Sequence, residues 1–355
     1  MNQIIKEDCE QVLKRVDLSL LKNKSILLTG GTGFIGRYFV NLIYLINETK
    51  KLNCTLVATY LHKVPKDLKK LSGKKIKFLK LDLSKPFNIG VNQLRISGNQ
   101  RSRRLDYIIH AAGYGQPAKF IQYPLRTIFI NTNATEILLN LAKTCHAKFV
   151  FMSSADTYGD VPKNLKSVPE TFSGNLNTLS PRAVYGESKR LGETICWAYR
   201  DQYGVDAKVV RASHLYGPGI SIHDQRVLGN FLKGALVDKS IKLKDTGRAI
   251  KTFGYISDAI AMIMFIATKG KDMVYNIGGI DSLSIFDLAK NVARETNVKV
   301  IVPSVKARDK YIGSDPRTVR LDFSKIKKEM GKFSFTPFKT GLRRTINWNK
   351  EEFHL

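Results

Sequence analysis

Tyr185 and Lys189 stand four residues apart in Tyr185-Gly-Glu-Ser-Lys189. On a helix that spacing puts a phenol and an ammonium on one face. A cation beside a phenol favours the phenolate and lowers its pKa, so the pair suits general acid/base work near neutral pH. The same spacing also occurs on ordinary solvated helix faces, so it gains meaning only from its neighbours. Ser154 and Asp156, in Ser153-Ser154-Ala155-Asp156-Thr157-Tyr158-Gly159, place a hydroxyl and a carboxylate just past the apolar run Lys148–Met152. In an open parallel sheet ligands sit beyond the carboxyl ends of strands. Both residues could equally cap a turn. The third element is Thr29-Gly30-Gly31-Thr32-Gly33-Phe34-Ile35-Gly36, which follows an apolar run and opens a helical pattern. Glycines there allow a tight turn and close backbone approach to a pyrophosphate, and the helix start offers free N–H groups.

These groups need a scaffold to hold them. Ser25–Thr29, Thr55–Tyr60, Ile76–Leu81, Tyr107–Ala111, Lys148–Met152 and Ala207–Arg211 read as buried strands. They alternate with helical patterns from Gly36 onward, at Ile128–Ala142 and at Tyr185–Tyr203. That alternation predicts an α/β fold with a parallel sheet covered on both faces. Lys85–Arg104 is a long polar insert, expected as a surface loop. Past Tyr216-Gly-Pro-Gly219 the pattern shortens: helices at Val227–Val237, Ser257–Ala267 and Ile285–Thr296, strands at Ile241–Leu243 and Val274–Ile277. We expect a helical extension over residues 1–24, a dinucleotide-binding domain over 25–215, and a smaller substrate-binding domain over 216–355. The last two should interleave, with a strand and helix near 241–277 returning to the first core.

The chain has 355 residues, 43% hydrophobic and 25% charged, which excludes disorder, collagen and coiled coil as its main class. Cys9, Cys54, Cys145 and Cys196 are scattered with no C-x-x-C pair, which argues against a disulfide framework or zinc site and fits a reducing cytoplasm. The net charge of +28 admits nucleic acid or an anionic surface as a partner. However, the basic residues are spread along the chain, and the densest group, Arg95, Arg101, Arg103 and Arg104, carries no RNA-recognition pattern. Anionic small molecules are the expected partners and nucleic acid is not. The apolar runs near Phe39–Ile46 and Ala259–Ala267 fall well short of a membrane span. His110 and His214 lack a clustered second ligand, and no metal is expected.

Taken together the three motifs resemble the extended short-chain dehydrogenase/reductase superfamily, in its sugar-nucleotide epimerase/dehydratase branch. The resemblance covers about Lys24 to Gly341, and Ser180-Pro-Arg-Ala-Val-Tyr185-Gly-Glu-Ser-Lys-Arg-Leu-Gly-Glu193 is most similar to UDP-glucuronate decarboxylases. It implies a Rossmann-type doubly wound parallel sheet with a smaller, interleaved C-terminal substrate-binding domain, and a homodimer paired through the helices at 128–142 and 185–203. It also implies roles. Gly30, Gly33, Phe34, Ile35 and Gly36 would hold the cofactor pyrophosphate, with Asp82 and Leu83 flanking the adenine. Ala111, Ala112 and Gly113 would line the nicotinamide side, and Asn131 would also meet the cofactor. Lys189 would bond the nicotinamide ribose and tune Tyr185. Tyr185 would take the proton from the sugar 4-hydroxyl, with Ser154 bonded to the same oxygen. Asp156 stands where dehydratases and decarboxylases usually have glutamate, which tilts the expectation toward lyase chemistry. Arg182, Arg226 and Asn230 would meet the substrate. His214 replaces an asparagine, Lys251 replaces an arginine, and Val319 aligns with another arginine for which Arg317 or Arg320 would substitute.

Cofactor choice is open at this point. An acid at the end of the second strand would select NAD, but Thr59-Tyr60-Leu61-His62-Lys63 has none. His62, Lys63 and Arg37 would suit the 2′-phosphate of NADP, whereas the resemblance implies NAD. The leading expectation is transient C4 oxidation of a nucleotide-activated sugar. The alternatives are an NADPH-dependent 4-ketosugar reductase and, in another class, a non-catalytic dinucleotide sensor or RNA-binding protein.

Overall fold

A computed structural model describes residues 1–94, 105–303 and 318–355. The N-terminal segment forms helix α1 (Gln3–Arg15), capped by the Asn2 side chain. The apolar run Ser25–Thr29 is β1, and the glycine turn leads from it into α2 (Phe34–Lys50). β2 (Thr55–Tyr60), the short α3 (Lys66–Lys69) and β3 (Ile76–Lys80) follow. Then come β4 (Tyr107–His110), α4 (Pro117–Gln122), α5 (Pro124–Asn131), α6 (Asn133–Cys145) and β5 (Lys148–Ser154). α7 (Ala183–Tyr203) precedes β6 (Ala207–Ala212) and β7 (His214–Tyr216). The remainder is α8 (Val227–Leu236), β8 (Ser240–Lys242), β9 (Ile250–Tyr255), α9 (Ile256–Lys269), β10 (Val274–Ile277), β11 (Asp281–Ser284), α10 (Ile285–Thr296), β12 (Lys299–Ile301), α11 (Ser324–Met330) and α12 (Phe338–Phe353).

Seven strands form one parallel sheet in the order β10-β6-β5-β4-β1-β2-β3. The chain winds outward from β1 to β3, then crosses back to β4 on the other side of β1. Strand order therefore reverses between β1 and β4, and a crevice opens there at the carboxyl ends. Both faces are apolar and covered. One core joins α1, α2 and α9 to the sheet through residues such as Val12, Phe39, Ile43 and Ile260. The other joins α6 and α7 through Leu138, Phe149, Phe151 and Cys196. A third core around Phe231, Phe253, Leu288 and Leu342 binds α8, α10 and α12 to a three-stranded sheet, β11-β9-β7. β10 lies beyond this third region in sequence yet pairs with β6 in the main sheet.

Several expectations need adjusting. The single helix expected over Ile128–Ala142 is two helices, broken at Thr132 (φ −118°, ψ −78°). Strands β7, β9 and β11 and helix α12 were not anticipated. The arginine cluster 95–104 and Arg317 lie outside the described residues. No helix among the described residues is long and apolar enough to cross a membrane.

Candidate active site

The glycine turn is shaped by contacts that only a bare backbone tolerates. Gly30 has φ +71°, and a Cβ on it would stand 2.9 Å from the Ala112 Cα. A Cβ on Gly36 would fall 2.2 Å from the Gly30 carbonyl oxygen. Gly33 caps α2 with no side chain to cover the first-turn amides. Gly31 N–H donates to the Thr59 carbonyl at 2.7 Å, tying the turn to β2. The opposite wall is held by Thr29, whose Oγ1 accepts from Ala112 N–H at 3.1 Å and lies 2.7 Å from His110 Nδ1. His110 Nε2 is 3.0 Å from the Ile130 carbonyl oxygen, which can only accept. The proton therefore sits on Nε2, and the Thr29 hydroxyl donates to Nδ1. Burial, aided by the Lys189 charge, pushes the imidazole down to about 3, so it stays neutral. Both ring nitrogens of His110 are spent on bracing this corner.

A cleft of about 1210 Å³ runs from the glycine turn across the ends of β4, β5 and β9. Gly30, Gly33, Phe34, Ile35 and Gly36 line it, as do His62, Asp82, Leu83, Ala111, Ala112 and Gly113. Asp82 is folded back on the amide and hydroxyl of Ser84, at 3.0 and 2.6 Å. Ser154, Asp156, Tyr185 and Lys189 all reach the same cleft. Ser154 ends β5, and its Oγ accepts from Asp156 N–H at 3.2 Å, which seats the carboxylate at the start of a one-turn helix. Tyr185 lies in the first turn of α7, stacked on Phe120 with centroids 5.0 Å apart.

Lys189 is buried four residues along, where its Nζ donates to the Met152 carbonyl at 2.6 Å and lies 5.9 Å from the Tyr185 ring centroid. The expected lowering of the Tyr185 pKa does not occur here. Burial, together with the Asp156 charge, pushes the phenol up to about 12 against a hydrogen bond to Ser154 and the Arg226 charge. Lys189 itself is pushed down to about 7 by burial, with Glu193 and Cys196 pulling the other way. Desolvation is thus the largest influence on both groups, raising the half-buried phenol and lowering the buried ammonium.

Asn131 is not among the residues that line the cleft but lies just behind Gly113, which does. Its Nδ2 donates to Ser188 at 2.9 Å, while its buried Oδ1 has no hydrogen-bond partner in the structure. A Cβ on Gly113 would stand 3.8 Å from that oxygen and 3.9 Å from Lys189 Nζ. An unsatisfied buried acceptor of this kind costs free energy unless a ligand group meets it. Together with the bare glycine turn and the open helix start, it fits a dinucleotide laid along the cleft.

Of the residues expected at the substrate end, Arg182, His214, Arg226, Asn230 and Lys251 line the cleft. Arg226 forks onto Asp224 with contacts of 2.7 to 3.2 Å and lies 5.7 Å over the Phe34 ring. Lys251 is buried on β9 beside His214 on β7, in a recess closed by Val319. Arg320 is not brought there: its side chain is exposed away from the cleft, and its carbonyl pairs with Val168. Arg37 and Lys63 are not among the residues lining the cleft, and Arg37 is ion-paired with Asp67. The 2′-phosphate site expected from His62, Lys63 and Arg37 is thus not assembled. Sequence reasoning missed the segment after β4, where Gln116 and Phe120 shape the floor under Tyr185 and Asp224. Its position past a strand's carboxyl end was the available signal.

The NAD dependent epimerase/dehydratase family model matches residues 26–278. UDP-glucuronic acid decarboxylase 3 of Arabidopsis thaliana is 28% identical over 334 residues, covering 94% of this chain and 90% of that one. UDP-glucuronic acid decarboxylase 1 of Xenopus tropicalis is 27% identical over 337 residues, with 94% and 74% covered. Among solved structures, UDP-glucuronic acid 4-epimerase from Bacillus cereus, in complex with UDP-glucuronic acid and NAD, superposes with a TM-score of 0.76 at 21% identity. That match covers 92% of this chain and 99% of that one. A dTDP-glucose 4,6-dehydratase from Streptomyces venezuelae with NAD bound gives 0.75 at 22% identity, covering 93% and 98%. Glycine turn, parallel sheet and family match converge: this chain is a member of the NAD dependent epimerase/dehydratase family.

Proposed function

We propose that the protein is an enzyme that uses NAD to modify a nucleotide-activated sugar through transient oxidation at C4. The observation that carries this reading is the convergence of Ser154, Asp156, Tyr185 and Lys189 on one cleft whose other end is the glycine turn. NAD⁺, when bound, supplies a hydride acceptor for the sugar carbon. Gly30, Gly33 and the first-turn amides of α2 would hold its pyrophosphate, and Lys189 and Asn131 its nicotinamide end. Tyr185 would take the proton from the sugar 4-hydroxyl as its phenolate, a form that the positive charge of bound NAD⁺ would favour against desolvation, and Ser154 would hold the same oxygen. With its pKa raised, the phenol is a reluctant acid, so it would return the proton readily only to a strongly basic oxygen, such as the one re-formed when the ketone is reduced.

The 4-keto group acidifies the C5 proton or makes a C5 carboxylate labile. Asp156, beside Tyr185, is placed to move a proton at that neighbouring carbon. Arg226, His214 and Lys251 would meet the anionic nucleotide-sugar end, with residues 216–355 supplying most of that wall and 25–215 the cofactor wall. Exposed apolar side chains on α5 and α7, among them Leu125 at 79% and Trp197 at 56% exposure, favour a homodimer paired through these helices.

Incubation of the purified chain with a panel of UDP- and dTDP-sugars, uronates included, tests the reading. Products are followed by mass spectrometry and reduced nicotinamide by its absorbance. We expect turnover of a nucleotide sugar with no net cofactor consumption. Stoichiometric loss of NADPH would instead make it a reductase, and no turnover across the panel would remove the enzyme reading.

A further inference from the structure

In this fold a carboxylate at the end of the second strand ordinarily selects NAD by bonding the adenosine ribose hydroxyls. Here β2 ends Thr59-Tyr60, and Leu61, His62 and Lys63 follow without an acid. Arg37, one residue past Gly36 in the first turn of α2, would be an attractive partner for a 2′-phosphate. It is not available. Its guanidinium, 14% exposed, is ion-paired with Asp67 on α3, the short helix that follows β2. Gly36, Leu61 and His62 line the cleft while Arg37 and Asp67 do not, so the pair lies behind the wall that Gly36 and His62 form.

We infer that Asp67 is the cofactor-specificity residue of this protein. It takes the role of the missing strand-end acid from a different element, by pairing with Arg37 and adding a carboxylate, 40% exposed, that a 2′-phosphate reaching for Arg37 would meet. A phosphate arriving there must displace Asp67 from Arg37 and then face its negative charge, whereas a ribose hydroxyl meets neither cost. The arginine is thereby kept as a structural strut instead of a phosphate receptor.

The inference rests on the dinucleotide reading, and the experiment separates the two. The whole chain, its Asp67→Asn variant and the double variant Asp67→Asn/Arg37→Ala are titrated with NAD⁺ and NADP⁺ by calorimetry, with thermal melting as a second readout. The unaltered chain should bind NAD⁺ in clear preference. Asp67→Asn should tighten NADP⁺ at least about tenfold, the scale of one charge-assisted contact, with NAD⁺ changed much less. The double variant should lose that gain. An unchanged ratio of the two affinities in Asp67→Asn, or a gain that survives loss of Arg37, overturns the assignment of Asp67. Failure of the unaltered chain to bind either nucleotide overturns the dinucleotide reading itself.

Discussion

The guanidinium of Arg211 forks onto the carboxylate of Glu193, Nε at 3.0 and 3.2 Å and Nη2 at 2.6 Å, and Ser153 Oγ donates to the same carboxylate. These contacts pin β5, β6 and α7 to one another directly behind Lys189. The Glu193 charge also pulls the Lys189 pKa upward against burial.

Replacing Glu193 by glutamine should therefore lower the Lys189 pKa further below about 7. If the protonated ammonium is the working form, activity is lost as pH rises through that pKa, and the alkaline limb moves to lower pH. Partial rescue is expected near pH 6 but not near pH 8. Leaving Arg211 half-paired should also cost about 3 kcal/mol of stability. A pH profile of kcat/KM superimposable on that of the unaltered chain would show that Glu193 has only a structural part.

Tyr185→Phe removes the phenolic oxygen and little else, because the ring stays stacked on Phe120. Turnover should fall by roughly 10²- to 10⁴-fold, the usual scale for a lost acid/base group. NAD⁺ affinity measured by calorimetry should hardly change. Retained turnover would take Tyr185 out of the chemistry.

Much of this was legible before any coordinates. Strands Ser25–Thr29, Thr55–Tyr60 and Val274–Ile277 are short, largely apolar segments, and the structure keeps those limits. The converging side chains were legible because each motif sits at the carboxyl end of a strand or the start of a helix. Less legible was anything decided by tertiary contact. No glycine or proline marks the break at Thr132; its hydroxyl bonds the Ile128 carbonyl while the chain turns beside Asn131. Short strands such as β7 offer too few residues to show alternation. The Tyr185 protonation state followed from burial, which spacing alone does not report, and Arg37 met an acid from α3 that no local pattern connects to it.

Gly36→Ala tests the cradle. A methyl group there would collide with the Gly30 carbonyl at 2.2 Å, and with backbone of Gly31 at 2.7 Å. Backbone cannot swing aside as a side chain can, so α2 must shift away from the turn. We expect NAD⁺ binding weakened by about 100-fold or more, the result of about 3 kcal/mol of lost fit. Far-ultraviolet circular dichroism should remain that of a folded chain. Undiminished NAD⁺ affinity would place the pyrophosphate elsewhere.

His110 makes the acid limb of stability predictable. Its folded pKa is lowered to about 3 from an ordinary 6.5, so between those values the unfolded chain binds a proton that the folded chain refuses. Stability contributed by this residue is thus intact above about pH 6.5 and declines as pH falls toward 3, with a limiting slope of about 1.4 kcal/mol per pH unit. Urea unfolding of the unaltered chain and of His110→Phe at pH 7, 6 and 5 should show the variant less stable at pH 7, because the Thr29 and Ile130 contacts are lost, but less sensitive to acid. Parallel pH dependences would mean that His110 titrates normally.

The last prediction concerns assembly. Leu125 is 79% exposed on α5, Leu191 50% and Trp197 56% on α7, and the two helices pack against each other. Apolar side chains of this size left open on adjacent helices mark a surface that another apolar surface should cover. In a twofold pair the patch would meet its own copy, as a cyclic dimer requires. Sedimentation of the unaltered chain should give a dimer at micromolar concentration. Trp197→Glu combined with Leu125→Glu should give a monomer that melts as a folded protein, because neither side chain contributes to the buried cores. A monomer for the unaltered chain, or a dimer undisturbed by both changes, would move the interface away from these helices.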